Sequence, residues 1–263
     1  MHLMVASRQD EASTSMGKYF IENGPFSELS KDLYSSGDMV LAFIKEKHLY
    51  WNGPDALEKE LNMEFSDIIF LSRHSSVADI KSVTVHPTGN FRNSADLGGM
   101  PRKISKAYPE MMTAYLRKLR SSMNVPGVEV TFEATHHGPL IDIPNFYFEI
   151  GTTKEQWADP DILDVCLDAV NSASPGKGDN FVGVGGGHYM TKVTDYAVQN
   201  EVNVGHMISK HGLAEIDQEM IQLAVEETPR CRGFILDRKG VKSNAKAIIE
   251  SMADTYSLEK IVV

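Results

Sequence analysis

The sequence predicts an α/β fold, a mixed, largely parallel sheet flanked by helices. Two observations carry this expectation. Short strand-like runs recur along the 263 residues, and segments with helical spacing of apolar residues stand between many of them. A third observation narrows it: no internal repeat, low-complexity segment or long linker breaks the alternation, so residues 1–263 read as a single α/β domain with elaborations.

The strand-like runs are HLMVAS (2–7), DMVLAFIK (38–45), DIIFLS (67–72), VEVTFEAT (128–135), FYFEIG (146–151), FVGVGG (181–186), VNVGHM (202–207) and GFILD (233–237). In the fourth, Val128, Val130, Phe132 and Ala134 alternate with Glu129, Thr131 and Glu133, so one face is buried. ALEKELN follows a Gly-Pro-Asp start that suits a helix N-terminus. KEQWADPDILDVCLDAVNSA sets Ile162, Leu163, Val165, Cys166, Leu167 and Val170 at helical spacing behind Asp161. SASPGKGD (172–179) is short enough for a loop between helix and strand. AEIDQEMIQLAVEETP offers Ile216, Met220, Leu223 and Ala224 and ends before Pro229, and SNAKAIIESMADT gives another amphipathic helix.

Hydrophobic residues make up 42% and charged residues 24%, which fits a globular protein and argues against disorder. No apolar run approaches the roughly 18–20 residues needed to cross a bilayer. The start, MHLMVASRQDEAS, turns polar within about ten residues, without the apolar core of a signal peptide. A cytoplasmic chain, monomeric and without a membrane partner, is therefore expected. Cys166 and Cys231 make neither a disulfide framework nor a C-x-x-C pair, and Cys166 falls on an apolar helix face as a structural thiol.

The net charge of −10 discourages non-specific binding to polyanions. Positive charge concentrates in PRKISKAYPEMMTAYLRKLRSS, where Arg102, Lys103, Lys106, Arg117, Lys118 and Arg120 face only Glu110. By itself this reads as a solvated helix face.

The histidines are more informative. His2 and His48 have no polar company nearby in sequence and read as incidental. His86 precedes Pro87, and His211 shortly follows His206. His74, His136, His137, His188 and His206 each follow a strand-like run by only a few residues, or end one. In an open α/β sheet ligands bind beyond the carboxyl ends of the strands, so parallel strands bring these five imidazoles to one edge. One such histidine more often serves as a structural hydrogen-bonder; five together point to a site for a metal or a general base. Glu133 and Glu149 lie on the neighbouring strands, each suited to orient an imidazole or accept a proton, although Glu133 reads as well as a solvent-facing residue. Gly183, Gly185, Gly186 and Gly187 run into His188, and TKVTDYAVQ continues as a helix. Backbone N–H groups there could receive an oxyanion, but neither the P-loop nor the dinucleotide fingerprint is present. With no G-x-S-x-G elbow and no activated cysteine, water is the expected attacking group, and the chemistry reads as hydrolysis.

Together SRHSS, THHGPL, IPNFYFEIGTT, GVGGGHYM and GHMISKHGL resemble the archaeal and plant-type D-aminoacyl-tRNA deacylases. The resemblance runs from LMVASRQDEAS to the C-terminal helix. It implies a phosphorylase/peptidyl-tRNA hydrolase-like fold and hydrolysis of the ester joining a D-amino acid to the terminal ribose of tRNA. It also implies two Zn2+ ions per subunit, and it gives Arg102, Lys103, Arg117, Lys118 and Arg120 a purpose as tRNA backbone contacts. On this reading His136, His188 and His206 hold metal, and His137 or Glu149 takes the proton, with Glu133 beside them. His74 and the Gly185–Gly187 backbone then meet the substrate. The alternatives are a zinc-dependent amidase or aminopeptidase, which would ignore added tRNA, and a nucleoside phosphorylase, which would need phosphate. A further alternative is a non-catalytic metal- or RNA-binding module, which would hydrolyse no acyl ester.

Overall fold

Strand β1 (His2–Ser7) buries every residue after His2, because it has a parallel neighbour on each side. The structure, a computed structural model, describes residues 1–75, 80–215 and 217–263. Helix α1 (Glu11–Asn23) starts where the Asp10 carboxylate accepts from the Ser13 N–H, and it buries Met16 and Phe20. The hairpin β2 (Ser27–Ser30) and β3 (Leu33–Ser36) leads into β4 (Met39–Ile44), and α2 (Pro54–Leu61) into β5 (Asp67–Arg73). Then come β6 (Ser82–His86), the short pair β7 (Gly89–Asn90) and β8 (Lys103–Ile104), α3 (Pro109–Ser122), β9 (Glu129–Phe132) and β10 (Asn145–Gly151). The chain continues through α4 (Lys154–Trp157), α5 (Pro160–Ser172), β11 (Asp179–Val184), α6 (Thr191–Gln199), β12 (Val202–Ile208), α7 (Gln218–Glu226), β13 (Cys231–Leu236), α8 (Ser243–Tyr256) and β14 (Glu259–Val262).

The fold is α/β and its strands are mostly parallel, but they divide between two main sheets. The larger has the order β2-β3-β4-β1-β5-β10-β6-β9, the smaller β12-β11-β13-β14. β4, β1, β5 and β10 run parallel; β6 pairs antiparallel with β10, and β9 runs with β6. The second sheet is parallel throughout. Helix α3 links the two: Met112, Tyr115, Leu116 and Leu119 are buried in one cluster with Phe146 and Phe148 of β10 and Val204 of β12. Tyr115 meets both phenylalanine rings edge-on, each at 5.4 Å. Each such side chain taken fully from water contributes about 1.5–3 kcal/mol.

Three expected elements are altered by local chemistry. The run 154–173 splits before Pro160, because Asp159 caps a new helix with proline at its first turn. The strand expected at 181–186 stops at Val184, since Gly185 takes φ +101°. The alternation of 128–135 outlasts its ladder, which ends at Phe132. Ile216, expected on the apolar face of α7, lies outside the described residues. Among the described residues no helix is long and apolar enough to cross a membrane.

Candidate active site

The site is laid out by β10. Phe146, Phe148 and Ile150 face the core, so Tyr147 and Glu149 take the opposite face. Register places Tyr147 opposite His86 and Glu149 between Ser72 of β5 and Thr84 of β6. The His86 and Tyr147 rings stack with centroids 5.2 Å apart. β9 delivers Glu133 one step beyond its last strand residue, where the Glu133 N–H donates to the Val85 carbonyl at 3.1 Å. The chain then turns back over His86. His137 adopts φ +45°, a left-handed conformation that costs on the order of 1–3 kcal/mol and that collects at functional turns. The His136 and His137 rings lie 4.1 and 4.9 Å from that of His86.

The loop after β11 brings the last member. The His188 carbonyl accepts from the Ala134 N–H, and the Met190 N–H donates to the Phe132 carbonyl, both at 2.9 Å. His188 Nε2 then stands 2.8 Å from one Glu133 oxygen, and His74 Nδ1 stands 2.8 Å from the other. Glu149 lies 3.7 Å from both His74 and His86. The Tyr189 hydroxyl holds His74 Nε2 at 2.9 Å and lies 3.2 Å from Ser82 Oγ.

Hydrogen bonds fix the tautomers of three rings. His86 Nδ1 is 3.1 Å from the Pro87 carbonyl, His136 Nδ1 2.9 Å from that of Ala134, and His137 Nδ1 2.8 Å from that of Gly138. A carbonyl only accepts, so each ring carries a proton on Nδ1, and each ring when neutral keeps its lone pair on Nε2. Burial opposes a charged His86, yet the facing Glu149 raises its pKa, so its Nε2 lone pair is free once that second proton leaves or a cation takes its place. Backbone carbonyls orient metal-binding imidazoles in the same way. Ligating atoms of His86, His136 and His137 lie within 4.8 Å of one another, as do those of His74, Glu133 and His188. His86 Nε2 and both Glu133 oxygens are buried without a well-formed hydrogen bond. Lone pairs facing carboxylate oxygens at these distances call for positive charge between them, from protons or a cation.

The charges respond accordingly. Burial works against ionisation of His74, yet Glu133 and Glu149 raise its pKa to about 10. Burial likewise opposes ionised Glu133, but His188 and His74 hold it well below the carboxylate range. Burial and the neighbouring His86 push His137 down to about 3, and the same causes, with His137, hold His136 well below its ordinary value.

Of the residues expected from sequence, His74, His136, His137, His188, Glu133 and Glu149 meet here. Glu133, far from facing solvent, is fully buried. The imidazoles converge on a sheet face rather than at one carboxyl edge, because β6 and β9 reverse direction. His206 does not join them. Its Nε2 donates to the Ser105 carbonyl at 2.8 Å, and its Nδ1, 3.1 Å from the Thr135 hydroxyl, accepts from it, so no lone pair is left. The Gly185 N–H is spent on the Ile208 carbonyl and so does not face an anion, and the Gly186 carbonyl accepts from the Lys210 N–H, which holds the loop that carries His188. Neither are most of the basic residues an open stripe. Arg102 pairs with Asp217 and Glu219, Lys118 with Asp168 and Arg120 with Asp195, while Arg117 donates to the Ala197, Asn200 and Val202 carbonyls. Lys103 stands exposed on β8. His48 is not incidental either: it is buried, and its Nε2 accepts from the Ser7 N–H.

His86 is the residue that the strand-end reasoning passed over. Its signal was present, since Ser82, Thr84 and His86 alternate with Val83 and Val85 and so share a polar face. Tyr189 gave no comparable signal. Beside the cluster opens a cavity of about 410 Å³, lined by Asn90, Phe91, Leu97, Ser209, His211 and the His136–His137 turn.

Imidazoles and buried carboxylates gathered beside such a cavity are the donor set of a hydrolase. A family model described as D-aminoacyl-tRNA deacylase matches residues 61–261. The D-aminoacyl-tRNA deacylases of Thermoplasma acidophilum and Thermoplasma volcanium are 46% and 41% identical to this chain, each over 100% of both proteins. The D-aminoacyl-tRNA deacylase of Thermococcus kodakarensis is 31% identical over 99% of each. A crystal structure of a conserved protein of unknown function superposes with a TM-score of 0.88 at 31% identity, over 100% of this chain and 95% of that one. The chain belongs to the D-aminoacyl-tRNA deacylase family.

Proposed function

We propose that this protein hydrolyses the ester between a D-amino acid and the terminal ribose of tRNA, releasing free tRNA and the D-amino acid, with water as the attacking group. The observation that carries this reading is the set of three unspent Nε2 lone pairs, on His86, His136 and His137, beside a cavity of about 410 Å³. A cavity of that size suits an aminoacyl group. We place the activity in the cytoplasm, in a monomer acting as a single domain.

The donor set fits Zn2+: imidazole nitrogen and carboxylate oxygen are its usual ligands, and the buried Glu133 oxygens and His86 Nε2 make no well-aligned hydrogen bond. One ion would be held by His86, His136 and His137, a second by His74, Glu133 and His188. Bound there, zinc supplies acidified water and a polarised ester carbonyl. The chain's own residues do the rest. The Pro87, Ala134 and Gly138 carbonyls keep three rings in one tautomer, and the Tyr189 hydroxyl holds the fourth. Glu149, a buried carboxylate 3.7 Å from His74 Nδ1 and His86 Nε2, is the residue to hold the proton that water gives up. His137 cannot do so while its Nε2 belongs to the first group.

The test is deacylation of D-Tyr-tRNA and L-Tyr-tRNA, with and without a chelator. Release of D-tyrosine, lost on chelation and restored by Zn2+, is the expected result. Cleavage that ignores the chelator removes the metal, and absence of cleavage on D-Tyr-tRNA removes the activity.

A further inference from the structure

We infer that a shelf formed by Tyr50, Leu97 and Met100 seats the unpaired 3′-terminal nucleobases of the tRNA, an inference that rests on the deacylase reading above. These three side chains are 57%, 55% and 54% exposed. Scattered exposed apolar residues need no explanation, but Tyr50 and Met100 line one groove of about 400 Å³, whose walls include Trp51, Pro139 and Leu140 and no charged residue, and Leu97 stands where that groove meets the catalytic cavity.

The groove adjoins the catalytic cavity. Leu97 lines the cavity, its neighbours Gly98 and Gly99 line the groove, and the segment between them is a shared wall. The Leu97 carbonyl accepts from the Gly138 N–H at 3.0 Å, which ties that wall to the turn carrying His137. Pro139, on the groove, is two residues from His137. The wall is also clamped. Gly98 and Gly99 take φ +79° and +75°, and a Cβ on Gly98 would collide with the Leu49 carbonyl.

The occupant follows from the reaction. The scissile ester sits on the terminal ribose, so the base on that ribose must lie close to the reacting carbonyl. A flat ring with apolar faces suits Tyr50 and Met100, and stacking of this kind tolerates any base. Electrostatics points the same way. The net charge is −10, and Arg102, Arg117, Lys118 and Arg120 are spent on internal partners. Those four residues are thus engaged within the chain, which leaves base stacking a larger share of the affinity for the acceptor end.

The experiment compares Tyr50→Ala, Met100→Ala and Tyr50→Trp with wild type. On D-Tyr-tRNA the alanine variants should raise KM by roughly tenfold, with kcat within about twofold, and Tyr50→Trp should keep the wild-type KM. On a D-tyrosine alkyl ester, which lacks the nucleoside, none of the three should differ from wild type. A tRNA carrying 2-aminopurine as its terminal base should be quenched by wild type and not by Tyr50→Ala. Unchanged KM and quenching in variants with native circular dichroism overturns the inference. So does a wild-type dimer that Tyr50→Ala dissociates in sedimentation, because the shelf is then a contact between copies. The two readings fail separately: quenching without D-aminoacyl cleavage sinks the activity and keeps the shelf, and cleavage without quenching does the reverse.

Discussion

His86 and His206 are both completely buried, and both end or nearly end a strand, yet their surroundings prepare them for opposite work. His206 spends one nitrogen on Ser105 and the other on Thr135, so it joins β12 to the chain that leaves β9. His86 spends one nitrogen on Pro87 and keeps the other facing Glu149 and the His136–His137 turn. Burial and strand position are therefore shared properties that do not separate a scaffold histidine from a reactive one. An unspent lone pair does.

Substitution at the two histidines should separate their roles. The largest effect belongs to His86→Ala and His136→Ala, each of which should lower deacylation of D-Tyr-tRNA by at least about 10³-fold, some 4 kcal/mol of transition-state stabilisation. Both should also lose bound zinc in elemental analysis while keeping native circular dichroism. His206→Ala should do the reverse, retaining activity within about tenfold and losing roughly 1–3 kcal/mol of stability in urea titration, since it strands the Ser105 carbonyl and the Thr135 hydroxyl. Full activity in His86→Ala together with an inactive His206→Ala would exchange their roles.

Next comes the basic helix. Arg117→Glu should cost about 2–3 kcal/mol of stability by removing charged hydrogen bonds to the ends of α6 and β12. It should leave KM for D-Tyr-tRNA, and its salt slope, near wild type. A flattened salt slope in a fully stable variant would return Arg117 to the tRNA interface.

A smaller effect is set by pH. Burial pushes His206 down to about 4 from an ordinary value of 6.5. The folded protein thus refuses a proton that the unfolded chain accepts. Stability from this source is complete above about pH 6.5 and drains away as pH falls toward 4, by up to roughly 3 kcal/mol. His206→Gln should flatten the stability–pH curve in that window and leave it unchanged above pH 7; an unaltered slope would mean that His206 does not carry it.

Much of this was legible in the sequence because it is periodic. Strands at 2–7, 67–72 and 146–151 follow from apolar pattern, and the last two put His74 and Glu149 where the site is. The alternation in VEVTFEAT marked Glu133 but gave the wrong environment, because period two says which residues share a face and not what covers it. His206 and His86 could not be ranked for a related reason. Which nitrogen is spent depends on Ser105, Thr135 and Pro87, and only the last adjoins its histidine in the chain. The ion pairing of the basic run was hidden on the same ground: the Arg117 partners in α6 and β12 and the Asp195 carboxylate that pairs with Arg120 lie 75 or more residues away. Pairing at long range leaves no local mark.

The central claim is that the unspent Nε2 of His86 belongs to the reacting centre. It is tested most directly by single-turnover deacylation of D-Tyr-tRNA with wild type, His86→Ala and His206→Ala, each stripped by chelator and then reloaded with Zn2+. The expected result is full recovery for wild type, near-full recovery for His206→Ala and none for His86→Ala. A reloaded His86→Ala that matches the wild-type rate would contradict it.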